Sequence, residues 1–277
     1  METLIVTTDF SGSSVHAAKY AAAISGPLGV RTLVLYHSYS VAPPITEVPL
    51  PEPEELASAH EDRIRALRIL ESQISPLMAR QVSVECVTDD LPLLSGVEQL
   101  LKQYGGGLIV AGMTGKGGVE KLLVGSHTAL LAGSCRAPVL IVPEEAEFTP
   151  ITKAVFACDL KNVDETIATH LIDEIVEKLD CRLLVLNVET TDSRMAGDVI
   201  PEQYELHEKL NHLKPEYHYI EHGSVAEGIM AFADTQRAGL VLAMPRSRGF
   251  FDSLFHRSIT KKLAHHTRLP LLLLRSE

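Results

Sequence analysis

The sequence predicts an α/β protein built from two tandem doubly wound parallel five-stranded sheets, each with strand order 3-2-1-4-5. Three observations predict it. The chain repeats itself: LIVTTDFSGSSVHAAKYAAAI from Leu4 lines up with AVFACDLKNVDETIATHLIDEI from Ala154, and RTLVLYHSY from Arg31 with CRLLVLNVE from Cys181. Later in each copy GGLIVAGM from Gly106 matches AGLVLAMP from Ala238, and RAPVLIVPE from Arg136 matches RLPLLLLRS from Arg268. These apolar runs are continuous rather than alternating, as parallel strands covered by helices on both faces require. Between them lie stretches of helical periodicity, giving a βαβαβαβαβ reading for each copy.

Taken in order, the first copy has helices expected over Ser14–Ser25, Glu54–Ser75, Leu93–Tyr104 and Ser126–Gly133. The second has Val163–Leu179, Glu202–Leu213, Val225–Gln236 and Ser258–His265. The polar stretch Glu144–Thr152, with Pro150 before the second copy starts, reads as a linker. Two domains follow, 1–146 and 151–277. The final strand of each copy is apolar and would make a hazardous open edge, so the two are expected to pair or pack together as an intramolecular pseudo-dimer. Association of two chains is left open.

From Asp9 to Gly112 is 103 residues, whereas the equivalent span from Asp159 to Met244 is 85. The extra eighteen fall mostly after the second strand, where SVAPPITEVPLPEPEE from Ser40 is proline-rich and acidic. Such a stretch disfavours regular structure and reads as an exposed excursion: a solvated loop, a lid over the site or a partner-binding arm.

Composition excludes several functions. With 45% hydrophobic and 22% charged residues, the chain reads as a folded globular protein rather than a disordered one. No apolar run approaches the length of a bilayer span and no signal peptide pattern opens the chain, so the expectation is a cytoplasmic protein with no membrane partner. The net charge of −11 argues against nucleic acid. Cys86, Cys135, Cys158 and Cys181 are scattered without a C-x-x-C pair, the spacing of buried thiols rather than of a metal or disulfide framework. The twelve histidines lack ligand spacing too: His265 and His266 are adjacent, and His218 with His222 sits on an expected strand, so no metal ligand set is assigned to the protein itself.

The segment GMTGKGGVEKLLVGS, Gly112 to Ser126, carries the functional signal. It fits neither a P-loop, since Gly115-Lys116 is followed by Gly117, nor a dinucleotide fingerprint, since Glu120 stands where the third glycine belongs. Its position is informative nonetheless. With order 3-2-1-4-5, Asp9 ends strand one and Gly112 ends strand four, facing each other across the switch point where ligands bind in doubly wound sheets. Gly112 and Gly115 would let main-chain N–H groups approach an anion, and Gly125 and Ser126 would open a helix whose N-terminus favours the same anion. Taken singly, each glycine is equally a turn former and Ser126 an N-cap.

The pattern Gly112-x2-Gly115-x9-Gly125-Ser126 resembles the Gly-2x-Gly-9x-Gly-Ser/Thr motif of the universal stress protein family. The resemblance extends over the whole chain, including Asp9, the His37-Ser38 strand ending and the closing Pro138–Leu140 strand, and the duplicated layout is similar to tandem members. It implies a Rossmann-like fold and an adenine nucleotide, ATP or AMP, in the first copy. Gly112, Gly115, Gly125 and Ser126 would hold ribose and phosphates, Asp9 would lie beside the nucleotide with or without magnesium, and the main chain around Ser38 would meet adenine. Thr8 and Phe10 would line the cleft.

The second copy departs from the motif. Met244, Ser247 and Arg257 replace the three glycines and only Ser258 matches, so one nucleotide per chain is expected. Arg246, Arg248 and Arg257 form either a solvated basic turn or a different anion site. No nucleophile–base pair or catalytic elbow stands out, and Asp9-Phe10-Ser11-Gly12 lacks the His-x-Gly-His stretch of related nucleotidyl-transfer enzymes; slow ATP hydrolysis is the most chemistry expected. The alternative is a scaffold without nucleotide, holding a partner or hydrophobic ligand through the proline-rich excursion or the Phe250, Phe251, Leu254, Phe255 cluster.

Overall fold

In the computed structural model, which describes residues 1–39, 53–113, 126–160, 162–163, 167–190, 200–244 and 269–275, the first half runs β1 (Thr3–Thr7), α1 (Gly12–Ser25), β2 (Thr32–Ser38), α2 (Pro53–Ile74), β3 (Ser83–Asp89), α3 (Leu93–Gln103), β4 (Leu108–Met113), α4 (Ser126–Ser134) and β5 (Val139–Pro143). The second half contributes β6 (Lys153–Ala157), α5 (Thr169–Leu179), β7 (Arg182–Glu189), α6 (Ile200–Leu210), β8 (Glu216–Glu221), α7 (Val225–Gln236), β9 (Leu240–Ala243) and β10 (Leu271–Leu273). These strands form one sheet in the order β3-β2-β1-β4-β5-β10-β9-β6-β7-β8. Each half therefore has the 3-2-1-4-5 order expected. All neighbours are parallel except β5 and β10, which join the halves antiparallel with Leu272 opposite Leu140.

Strand pleating explains the double winding. Successive residues point to opposite faces, so Leu4 and Val6 enter one apolar layer with residues of α1 and α2, while Ile5 enters the other with residues of α3 and α4. The same alternation places Leu33 and Leu35 on the first layer and Val34 and Tyr36 on the second. Both layers continue through the second half, so both faces of the sheet are covered.

The repeat is deeper than its apolar pattern. Thr8 gives its N–H to the Tyr36 carbonyl at 2.9 Å, and Cys158 gives its own to Leu186 at 2.9 Å, which fixes Thr8 and Cys158 as equivalents. Two residues further on, Phe10 and Leu160 are both left-handed, with φ of 63° and 52°. His37 binds the Thr8 carbonyl through Nδ1 at 2.8 Å, and Asn187 donates from Nδ2 to the Cys158 carbonyl at 2.9 Å. A carbonyl only accepts, so His37 carries its proton on Nδ1. Gly96 in α3 and Gly228 in α7 match as well: a Cβ at Gly96 would overlap the Tyr36 ring, and one at Gly228 would lie 2.8 Å from Val188.

Three differences from expectation have physical causes. The helix expected over Val163–Leu179 is interrupted: Val163 is helical, its carbonyl accepting from the Ile167 N–H at 3.3 Å and its own N–H bound by the Glu202 carboxylate at 2.7 Å, but Ala168 is non-helical at ψ 72° and regular helix resumes at Thr169. The extra length after β2 is partly helix: 45 positions separate Ser38 from Ser83 against 27 between Glu189 and Glu216, and α2 has 22 residues where α6 has 11. The rest of the excursion, 40–52, lies outside the described residues. Among the cysteines, Cys135, Cys158 and Cys181 are buried, but Cys86 is half-buried on edge strand β3, its thiol 3.7 Å from Glu71 and pushed up to about 11 by burial and by that carboxylate.

The linker is packed rather than free. His16 of α1 donates to the Ala146 carbonyl at 2.6 Å, and Phe148 meets Tyr20 edge to face at 5.5 Å. Lys178 of α5 donates to the Met1 carbonyl at 2.8 Å and pairs with Glu174 at 2.8 Å, while the Met1 amino group pairs with the same carboxylate.

Candidate functional site

At the carboxyl edge of the first half, β1 and β4 run side by side with Val6 opposite Val110. Beyond β1 the chain turns into α1, and beyond β4 it leads to α4 on the other face. That divergence opens a cavity of about 200 Å³ lined by Thr7, Thr8, Asp9, Ser11, Ser13, Ser14, Ser38, Leu93, Gly112, Ser126, His127 and Thr128. It is the switch point the strand order predicts. The segment 114–125, which joins β4 to α4 at this edge, lies outside the described residues, and with it Gly115 and Gly125.

The turn after β1 is held by hydroxyls. Asp9 accepts from the Ser11 N–H at 3.0 Å and from the Ser11 hydroxyl at 2.6 Å, and Ser11 caps α1 by accepting from the Ser14 N–H. Thr8 Oγ1 and Ser14 Oγ lie 2.9 Å apart, while the Phe10 N–H donates to Thr8 Oγ1 at 3.0 Å. Such local side-chain bonds explain why a Ser-rich stretch starts this helix. Burial would push the Asp9 carboxyl up, but the bonds from Ser11 and Ser14 outweigh it and hold it below the usual carboxylate range. The Asp9 side chain is thus an anion at neutral pH.

Gly112 has a packing role that the sequence reading did not include. A Cβ there would overlap the Ser13 carbonyl oxygen and lie 2.6 Å from its carbon and 3.0 Å from Ser14 N. Absence of a side chain lets the first turn of α1 close onto β4. The Gly112 carbonyl accepts from Thr128 Oγ1 at 2.6 Å, tying the first turn of α4 to the same residue. Two helix N-termini, each presenting the positive end of a dipole, therefore open into one cavity beside Gly112.

The structure brings Thr8, Asp9, Ser38, Gly112 and Ser126 together around the cavity. It does not bring Phe10 there: its left-handed backbone turns the ring onto His37, centroids 4.7 Å apart, against buried residues of the α1 layer. Sequence reasoning missed Ser11, Ser13, Ser14, His127 and Thr128. The signal for the first three was present, an aspartate and three serines just ahead of an alanine-rich helical run, which is the pattern of a capped helix start. Ser38 donates its hydroxyl to the Leu91 carbonyl at 2.6 Å, leaving β2 and the turn before α3 fastened beside the cavity.

In the second half the strand register puts Met244 at the Gly112 position, since Ala154 opposite Leu240 repeats Leu4 opposite Leu108. Met244 is packed against the core. Val163, the equivalent of Ser13, is helical as well, its carbonyl accepting from the Ile167 N–H at 3.3 Å and its N–H held by the Glu202 carboxylate at 2.7 Å. Arg246, Arg248, Arg257, Ser258 and the Phe250–Phe255 cluster lie outside the described residues. Among the described residues no group of His, Cys, Asp and Glu has the arrangement of a metal site, and no helix is long and apolar enough to cross a membrane.

A duplicated doubly wound sheet, with a polar cleft at one switch point, is a class shared by many small-ligand-binding proteins. The family is specific. The model of the universal stress protein family matches residues 1–143 and again 151–275, and the chain belongs to that family. Over nearly its whole length it is similar to the solved structure of a universal stress protein from Archaeoglobus fulgidus, with 17% identity, a TM-score of 0.70 and coverage of 99% of this chain and 98% of that one. A functionally unknown protein from Pseudomonas aeruginosa is similar at 16% identity and a TM-score of 0.54, covering 99% and 92%. The cytoplasmic domain of a prokaryotic cation chloride cotransporter is similar at 10% identity and a TM-score of 0.53, covering 98% and 94%. At these identities the likeness shows the fold. Comparison with curated proteins gives no match.

Proposed function

We propose that this chain is a stress-response regulatory protein that binds one adenine nucleotide, ATP or AMP, in the cleft of its first half. The observation that carries the reading is the cavity where the N-termini of α1 and α4 converge on Gly112, rimmed by five serine and threonine hydroxyls from those two turns and by a single carboxylate. Hydroxyls and helix N-termini suit a phosphorylated ligand. Asp9, held ionised, suits a magnesium ion carried in on the phosphates, which needs only one or two protein carboxylates. Ser126 would meet the phosphates, Asp9 the ribose or the metal, and the chain near Ser38 the base, with Gly115 and Gly125 completing the phosphate loop.

Occupancy is read as a signal rather than as the start of a reaction, and the protein as cytoplasmic. The two halves then act as an intramolecular pseudo-dimer joined through β5 and β10, one half liganded and the other not. Calorimetric titration with ATP and with AMP tests this. Binding with one site per chain is expected for at least one of them, weakened by Gly115→Val with an unchanged circular dichroism spectrum. Absence of heat for both, with no rise in melting temperature, refutes it.

A further inference from the structure

We infer that Arg275, the residue that leaves β10, is a positioning residue for the ligand cleft of the opposite half. Its Nη2 donates to the carbonyl oxygen of Ala132 in α4. That carbonyl lies in the last turn of a helix ending at Ser134, where main-chain acceptors run out of regular helical donors, the last such bond running from the Cys135 N–H to Leu131 at 3.0 Å. A guanidinium at this place satisfies the orphan acceptor and complements the negative end of the helix dipole. The other end of the same nine-residue helix is Ser126, at the cavity. Arg275 therefore fixes from behind the helix whose front turn faces the ligand, while Thr128 fixes it at the front through Gly112.

The latch runs one way. Aligning Pro138 with Pro270 makes Pro143 the counterpart of Arg275, and proline offers no side-chain donor. The half whose cleft has lost its glycine thus supplies the clamp, and the half with the cleft receives it. This gives the second copy a use that requires no ligand of its own.

The inference rests on the function proposed above, and its test separates the two. Nucleotide affinity, melting temperature and amide exchange of Ser126–Thr128 without nucleotide are measured for wild type, Arg275→Gln, Arg275→Lys and Ile175→Val, the last a mild truncation in the core of α5. Expected for Arg275→Gln is faster exchange at Ser126–Thr128 and about three- to thirtyfold weaker nucleotide binding, the size of coupling transmitted through a rigid element. Lysine should restore most of both, and Ile175→Val should lower the melting temperature alone. Unchanged exchange and affinity in Arg275→Gln overturns the latch, as does an equal loss of affinity in Ile175→Val. If wild type binds no nucleotide, the function fails, and exchange at α4 still decides the latch.

Discussion

Replacing Gly112 by methionine would install in the first half the residue that the second half carries at the same place. The structure sets the size of the effect. A Cβ at Gly112 would overlap the Ser13 carbonyl and sit 2.6 Å from its carbon, so the first turn of α1 must move. Main-chain atoms cannot rotate away as a flexible side chain would. Forced repacking of this kind costs about 1–3 kcal/mol, and losing the Ser11 cap adds about 1 kcal/mol. At about 2–4 °C per kcal/mol for a chain of this size, the melting temperature should fall by about 5–15 °C. Hydrogen exchange is the more telling assay: protection at Ser14 and Val15 should drop. Gly112→Ala should show the same direction with a smaller loss. If Gly112→Met melts within about 1 °C of wild type with Val15 still protected, then the glycine does not set the helix start and the coupling drawn between Gly112 and α1 is wrong.

Further outcomes are expected elsewhere. Thr128→Val removes the donor to the Gly112 carbonyl and should cost about 1 kcal/mol in denaturant unfolding while increasing exchange in α4. Gly96→Ala forces a Cβ into the Tyr36 ring, breaking the 2.7 Å bond from Tyr36 to Asp89, and should destabilise by about 1–3 kcal/mol by the same unfolding measurement. The Asp9 carboxyl titrates below its ordinary value, so its stabilising contribution is complete above the ordinary carboxylate range and disappears as pH falls through the lowered folded value. Carboxyl NMR should place it there, and Ser11→Ala should move it upward. Glu174, where burial is outweighed by Lys178 and the Met1 amino group, is expected to show the same sign, with Lys178→Met raising its titration.

Much of the architecture was legible because a repeat constrains twice. Four matched strands with continuous apolar runs fixed the layers, and a shared final apolar strand pointed to the β5–β10 pairing that the sheet contains. Helix α7 falls where its periodicity placed it, Val225–Gln236, and Ser224 caps its start. Helix α5 is shorter than its periodicity suggests, because non-helical Ala168 separates it from the helical Val163, a break that no helical period shows. At the cleft, the positions of Asp9 and Gly112 followed from strand order, that of Ser126 from the expected helix start and that of Ser38 from the family resemblance. The role of Gly112 did not. Whether a glycine leaves room for a ligand or for a neighbouring main chain depends on which element packs against it, and Ser13 is 99 residues away in sequence. Phe10 was misplaced for a related reason, since one left-handed residue redirects a ring from the cleft to His37.

The most direct measurement is a site-resolved one: amide NMR spectra of the full chain recorded during titration with ATP and with AMP. Nucleotide binding in the first half predicts saturable shifts at Thr8 to Ser14, Gly112 and Ser126 to Thr128, reaching completion at one equivalent, with Cys158, Asp159, Asn187 and Met244 unmoved. Shifts confined to the second set, or none in either at millimolar nucleotide, would contradict it.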